Sequence, residues 1–258
     1  PVPSPVAPGE AVVLVDGQPD PSARVEPVPG NDGIAVSGDG WIVRVQGLNS
    51  DGQPQPLAPN ESLVVDAKRE VGATGAGFQP GTGVALYLNP PVGARAATGI
   101  WWRDLIVRFT NTVSLGSITV RADGTFDGMV TLPASVLAGD HALQAIGLSP
   151  ASQTRAVVVG LVVQPWIILD KGKRKSAGRH DVIRTRGDSG GLKPGDVLRP
   201  HVRFQGQKAF VRGVASLVIQ SDGTFTWQRK VRPGKPVTAY TAWESTRSNP
   251  VHWRTVRR

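Results

Sequence analysis

One pattern occurs twice in this chain: a Pro-Gly pair, an apolar stretch, then Asp-Gly-Thr-Phe. The first copy is Pro80-Gly81 with Asp123-Gly124-Thr125-Phe126, the second Pro194-Gly195 with Asp222-Gly223-Thr224-Phe225. Glycine after aspartate supplies the positive φ that tight turns need, so Asp-Gly between alternating apolar residues is a strong hairpin signal. Two copies predict a duplicated β-module. Composition agrees: 31 Gly and 22 Pro among 258 residues lie between short Val, Leu, Ile and Thr runs, so turns are frequent and helices rare. The absence of cysteine excludes disulfides, thiolate metal ligands and a cysteine nucleophile. The longest apolar stretches, Ala156 to Val163 and Trp166 to Leu169, fall far short of the roughly 20 residues of a membrane-spanning helix, so no span is expected.

The length suits two modules of about 100 residues plus a smaller piece. Pro1, Pro3, Pro5 and Pro8 make residues 1–9 a Pro-rich N-terminal leader, which reads as a terminus left after removal of a targeting segment. Residues 10–67 form an acidic, β-rich region with strands expected at Ala11 to Val15, Gly33 to Val36, Trp41 to Val45 and Ser62 to Val65. In the third of these, period-two alternation places Trp41, Val43 and Val45 on one face and Ile42 and Arg44 on the other. Four strands are few for an independent fold, so this region is expected to pack on, or share strands with, the module after it. About seven short strands then fit residues 68–164, and about seven more fit 165–258, each with turn signals every 8–12 residues, the pattern of an antiparallel sandwich. Near the start of the last module, Lys171 to Arg179, which includes Lys173, Arg174 and Lys175, reads as a basic connecting loop.

The stretch Gly75 to Gly81, Leu115 to Phe126, Leu132-Pro-Ala134, Gly139 to Gln144 and Gly147-Leu-Ser149 resembles the immunoglobulin-like modules of actinobacterial cell-surface and secreted proteins. Gly191-Leu-Lys-Pro-Gly195, Asp222 to Trp227 and Arg247-Ser-Asn249 look like a related repeat. The fold class expected is therefore all-β, with tandem antiparallel immunoglobulin-like β-sandwiches. The resemblance implies an extracytoplasmic protein and says nothing about ligand, because such modules serve as spacers, adhesive units and assembly units alike. The chain departs from the resemblance at an insertion over residues 92–114. Long insertions on a rigid scaffold are where binding tends to reside. Trp101, Trp102 and Phe109 within it are candidate partner-binding residues, against the simpler reading that the two tryptophans cover an exposed end of the core.

Catalytic patterns fail on spacing. Gly187-Asp188-Ser189-Gly190-Gly191 matches the pentapeptide around the nucleophile of chymotrypsin-like proteases, but that chemistry needs a His and an Asp upstream in order. The first histidine is His141, too close in sequence to Ser189 to span two barrels. The segment reads instead as a glycine-rich hairpin loop, and the Arg186-Gly187-Asp188 tripeptide within it as a chance match. His141, His180, His201 and His252 are isolated, so no metal or cofactor site is expected. The Asp123 and Asp127 carboxylates flank a turn and read as solvated. No enzymatic activity is expected.

Charge is the remaining signal. The chain carries a net +9, but residues 1–67 hold Arg24 and Arg44 against nine acids, a net −7, while residues 165–258 hold twenty bases against six acids, a net +14. The basic module attracts acidic surfaces over a Debye length of about 8–10 Å. Lys173, Arg174, Lys175, Arg229, Lys230 and Arg232 are its candidate partner-binding residues. Basic residues interleaved with aromatics also supply the ingredients of a nucleic-acid platform, yet no recognisable motif accompanies them, so nucleic acid is disfavoured. These features together predict an extracellular structural or adhesive surface protein. It would associate with itself or another surface protein, for instance head-to-tail through its opposite charges, with Ala11 to Val15 adding to a sheet edge of the next copy. The alternative is a cell-wall or acidic-polysaccharide-binding module.

Overall fold

The structure, a computed structural model, describes residues 6–49, 51–89 and 112–254. Trp101, Trp102, Phe109 and the insertion as far as residue 111 lie outside them. The chain divides into two compact units, Pro1–Gln164 and Pro165–Arg258. Among the described residues every regular element is a strand, and no helix is long and apolar enough to cross a membrane. Unit 1 holds β1 (Ala11–Val15), β2 (Gln18–Pro19), β3 (Arg24–Pro27), β4 (Ile34–Gly38), β5 (Trp41–Gly47), β6 (Leu63–Asp66), β7 (Glu70–Ala76), β8 (Gly83–Leu88), β9 (Val113–Thr119), β10 (Phe126–Thr131), β11 (Gly139–Leu148) and β12 (Thr154–Gln164). Unit 2 holds β13 (Trp166–Leu169), β14 (Lys173–Ala177), β15 (His180–Gly190), β16 (Val197–Phe204), β17 (Val211–Arg212), β18 (Leu217–Val218), β19 (Thr224–Val231), β20 (Val237–Trp243), β21 (Thr246–Arg247) and β22 (Val251–Trp253).

In unit 2, β15 pairs antiparallel with β19 on one side and with β13 and β14 on the other. The second sheet runs from β17 and β18 through β16 and β20 to β21 and β22. Thus β13, β15 and β19 share one sheet and β16, β18, β20 and β22 the other, an immunoglobulin-like wiring with the fourth main strand placed beside the third. Unit 1 repeats it: β5, β7 and β10 against β8, β9, β11 and β12, with β6 running parallel to β12. The chain is therefore all-β, built of tandem antiparallel immunoglobulin-like sandwiches.

Residues 10–67 do not stand apart from 68–164. Strand β5 is the first strand of the sandwich itself, since Val43 pairs with Gly75 and Val45 with Ala73 of β7. As the alternation predicts, Trp41, Val43 and Val45 are buried while Arg44 is exposed. The preceding strands cover edges: β1 joins β12, with Val13 opposite Val157, and β4 joins β5 with β3 beyond it. Ala11 to Val15, expected to reach a neighbouring copy, instead satisfies its own sheet. Part of the expected leader is also packed, for Val6 is buried against Ala142 and Val158. The approach is close: a Cβ on Gly160 would stand 1.9 Å from the Ala7 carbonyl oxygen.

The two repeated motifs lock together within each unit. Gly81 and Gly195, at φ +77° and +92°, place their amides on the carbonyls of Val120 and Ile219, and the amides of those residues return to the carbonyls of Thr82 and Asp196. Only glycine takes such φ values freely, which explains Pro-Gly at both places. Next to this clasp, Asp123 Oδ1 accepts from the amide and hydroxyl of Thr125, at 3.0 and 2.7 Å. Asp222 does the same with Thr224, at 2.9 and 2.7 Å. The phenylalanines next in sequence are fully buried and lie directly opposite glycines, Phe126 over Gly75 and Phe225 over Gly187.

The Asp-Gly turn is consequently not a hairpin between paired strands. It carries the chain from β9 to β10, and from β18 to β19, strands of opposite sheets. The local hydrogen bonds close a tight loop, and each phenylalanine then pairs with its glycine on the adjacent strand of the second sheet, which takes the chain into that sheet. Removing the ring from Phe225 by Phe225→Ala is expected to destabilise unit 2 by about 3–5 kcal/mol. Gly187→Ala also destabilises, because its methyl would meet Phe225 Cζ at 2.1 Å. Denaturant unfolding of the full chain checks both, and a Phe225→Ala loss below about 1 kcal/mol contradicts this role for the ring.

Candidate anion-docking face

The basic segment expected as a loop is a strand. A two-residue turn at Gly178 and Arg179 folds β14 back on β15, with Lys173 opposite Arg184 and Lys175 opposite Val182. Strand alternation then separates the three consecutive cations. Lys173 and Lys175 point to solvent, whereas Arg174 points inward and is buried.

Arg174 is structural. Its Nε donates to Asp181 Oδ2 at 3.0 Å and its Nη2 lies 2.9 Å from the same oxygen. Its Nη1 donates to the Lys235 carbonyl at 2.9 Å and that of Arg254 at 3.2 Å, and Nη2 to that of Arg232 at 3.2 Å. The side chains of the pair are 3% and 2% exposed. One guanidinium thus ties three chain segments together at one end of the sandwich.

The outward face of β14, β15 and β19 adds further cations to Lys173 and Lys175. Arg184 and Arg186 project from β15, and Lys230 of β19 stands opposite Val182 in the same row as Lys175. Gln228 lies opposite Arg184, and Thr226 opposite Arg186. A groove of about 740 Å³ is lined by Lys173, Lys175, Arg184, Arg186, Thr226 and Gln228, with Asp170 also on its wall. Two further carboxylates border it: Asp222, 3.8 Å from Arg186 at an exposed position, and Asp188, which follows Arg186 on the outward side of β15. Like charges directly across a strand pair, as Lys173 and Arg184 are, disfavour the fold. An anion laid over them reverses the sign of that interaction. The neighbouring hydroxyl and amide groups offer hydrogen bonds.

Of the residues singled out in the sequence, Lys173, Lys175 and Lys230 are brought together here, and Arg174, Arg229 and Arg232 are not. The Arg229 guanidinium is 5.8 Å from the Phe204 ring centroid, and burial lowers its pKa. Arg232 is exposed and lends its carbonyl to Arg174. Sequence reasoning misses Arg184 and Arg186. Their outward spacing on a strand is the available signal, but only the pairing with β14 and β19 shows that they join the lysines.

Ser189 is buried, and its hydroxyl donates to the Gly223 carbonyl at 2.7 Å. Residues 187–190, expected as a glycine-rich loop, continue β15 and pair with β13. The Arg-Gly-Asp tripeptide accordingly lies on a strand with its glycine under Phe225. Among the described residues no group of three or more His, Cys, Asp or Glu is placed to hold a metal ion. His141 is held structurally: its Nε2 donates to the Leu137 carbonyl at 2.8 Å, and its Nδ1 accepts from Asn89 Nδ2 at 3.0 Å. Burial lowers the His141 pKa, outweighing the opposite pull of Leu137 and Asp140.

No protein-family model matches the sequence, and no curated protein matches it. Among solved structures it is similar to a tetra-tandem repeat in the extending region of a large adhesion protein, at 14% identity over 96% of this chain and 66% of that one, with a TM-score of 0.31. It is also similar to red sea bream transglutaminase, at 8% identity over 94% and 32%, TM-score 0.29. A third similar structure is a Ca2+-stabilized adhesin of an Antarctic bacterium, at 11% over 94% and 62%, TM-score 0.24. The chain thus spans less than two thirds of each of them. Likeness at this level identifies no function, and the fold assignment rests on the strand pairing itself.

Arg174→Met alone is expected to cost about 3–5 kcal/mol by stranding Asp181, while Arg174→Met with Asp181→Leu recovers most of it; unfolding of the full chain compares them. His141 contributes to the pH dependence of stability. Its unfolded form takes up a proton below pH about 6.5 while the folded form resists, so stability falls as pH drops through that range. His141→Gln is expected to flatten that part of the stability curve, measured by thermal unfolding between about pH 7.5 and 5.

Proposed function

We propose that this chain is an extracellular adhesive protein that works by holding rather than by turnover, and that the outward face of β14, β15 and β19 is where it docks an acidic polymer. The observation that carries this reading is the gathering of Lys173, Lys175, Arg184, Arg186 and Lys230 on one solvent-facing sheet surface. An open cationic groove without a poised nucleophile suits a linear partner held at many weak points. An acidic polysaccharide or cell-wall polymer has that form. Several exposed contacts, each worth a fraction of a kcal/mol, add up along a chain and weaken together as salt rises.

The charge asymmetry supports a second reading, association between copies through the net −7 of residues 1–67 and the net +14 of residues 165–258. Donation of Ala11 to Val15 has no part in it, since that strand pairs with β12.

Retention of the full chain on an immobilised sulfated dextran tests the first reading. Lys175→Glu with Arg184→Glu is expected to weaken retention at least about tenfold, or about 1.4 kcal/mol, and wild-type retention is expected to fall steeply between about 50 mM and 500 mM salt. Salt-independent retention, or retention unchanged by the double substitution, counts against the docking face. Light scattering of the protein alone at low salt tests the second reading, which a monomer at every concentration defeats.

A further inference from the structure

The opposite face of the unit 2 sandwich is cationic as well. Strand β16 buries Leu198 and Val202 and turns Arg199, His201 and Arg203 outward. Pairing places Arg212 of β17 on one side of His201 and Tyr240 of β20 on the other. Arg247 of β21 lies beside Ala242, which is itself opposite Arg199. None of the six carboxylates of residues 165–258 projects from these strands. Asp181 is committed to Arg174, Asp170 and Asp188 belong to the other sheet, Asp196 and Asp222 cap turns, and Glu244 sits in the turn after β20. Among the described residues Arg203, Arg212 and Arg247 form no ion pair.

Arg203 and Arg247 are held against aromatic rings. The His201 and Tyr240 rings stack at 4.7 Å with 3° between their planes, and Phe210 meets Tyr240 edge-on at 4.9 Å. Arg203 stands 4.8 Å from the Phe210 centroid and Arg247 stands 5.6 Å from that of Tyr240. Guanidinium groups held in place by rings lose less freedom on binding than free side chains do. Burial, and then Arg212 and Arg247, lower the His201 pKa.

We propose that this second face also takes an acidic polymer, so that the single sandwich of residues 165–258 is bivalent and cross-links polyanion chains. The inference rests on the docking function proposed for the first face. Packed sheets lie about 10 Å apart with their outer side chains pointing away from one another, so a polymer strand on one face leaves the other uncompensated. A second strand neutralises it. The face selects a polymer without bases, because the rings that would stack a nucleobase are already occupied by each other and by arginines.

The full chain mixed with long dextran sulfate tests this, with binding read by sedimentation and bridging by light scattering. Wild type is expected to bind and to give scattering that rises and then falls as polymer is added, since excess polymer separates the bridges. Arg212→Glu with Arg247→Glu is expected to keep at least about a third of the binding and to lose scattering about tenfold. Lys175→Glu with Arg184→Glu is expected to lose scattering as well and to keep only the roughly tenfold weaker binding of the second face, and the fourfold variant to bind nothing. Circular dichroism checks the fold, and Gln replaces Glu in any variant that fails it. Wild type that binds without scattering, or second-face variants that scatter like wild type, overturns bivalency and leaves the first face standing. No binding by wild type overturns both. Tighter binding of single-stranded poly(dT) at equal charge overturns the choice of a base-free polymer.

Discussion

The contact on which both sandwiches depend is a phenylalanine ring laid over a glycine on the neighbouring strand. Phe126 on Gly75 and Phe225 on Gly187 fill the space that a Cβ would otherwise occupy. Each ring is delivered by an Asp-Thr turn whose side-chain hydrogen bonds set the direction in which the chain leaves the loop. The backbone clasp to the Pro-Gly turn fixes that loop at the end of the sandwich. Because the strand after the turn enters the other sheet, this contact also decides how the chain crosses between layers. Duplicating the motif therefore duplicates the wiring, even where the rest of the two units differs.

Edges are treated differently in the two units. In unit 1 the residues before β5 supply strands that cover β12 and β5, so main-chain groups that would otherwise be open are paired within the chain. This removes the strand that the sequence pattern offers to a neighbouring copy, and it shifts the weight of any adhesive role onto side chains. In unit 2 the charged side chains are mostly basic, twenty against six acids. Burial takes one cation, Arg174, out of solvent as a tie between three segments, and the alternation that buries it leaves Lys173 and Lys175 on the surface. Buried and solvent-facing positions are thus divided among adjacent residues by strand periodicity alone.

The face of β14, β15 and β19 and the face of β16, β17, β20 and β21 also differ in how they present charge. The first is a groove of lysines and arginines with hydroxyl and amide groups among them, bordered by Asp170, Asp188 and Asp222. The second has Arg203 and Arg247 over the Phe210 and Tyr240 rings, Arg199 and Arg212 beside them, and no carboxylate on its strands.

What the sequence by itself determined is local. The turn glycines, the alternation of Trp41, Val43 and Val45, the all-β class and the concentration of positive charge after Pro165 all stem from backbone sterics and side-chain type, which act within a few residues. What only the tertiary structure decided is non-local. The partner of Ala11–Val15, the sheet entered after each Asp-Gly turn, the strand made of Lys173 to Ala177 and the meeting of Arg184 and Arg186 with Lys230 all depend on which strands pair across the chain. Alternation assigns residues to two faces, but it takes the packing of one sheet on another to decide which of those faces meets water.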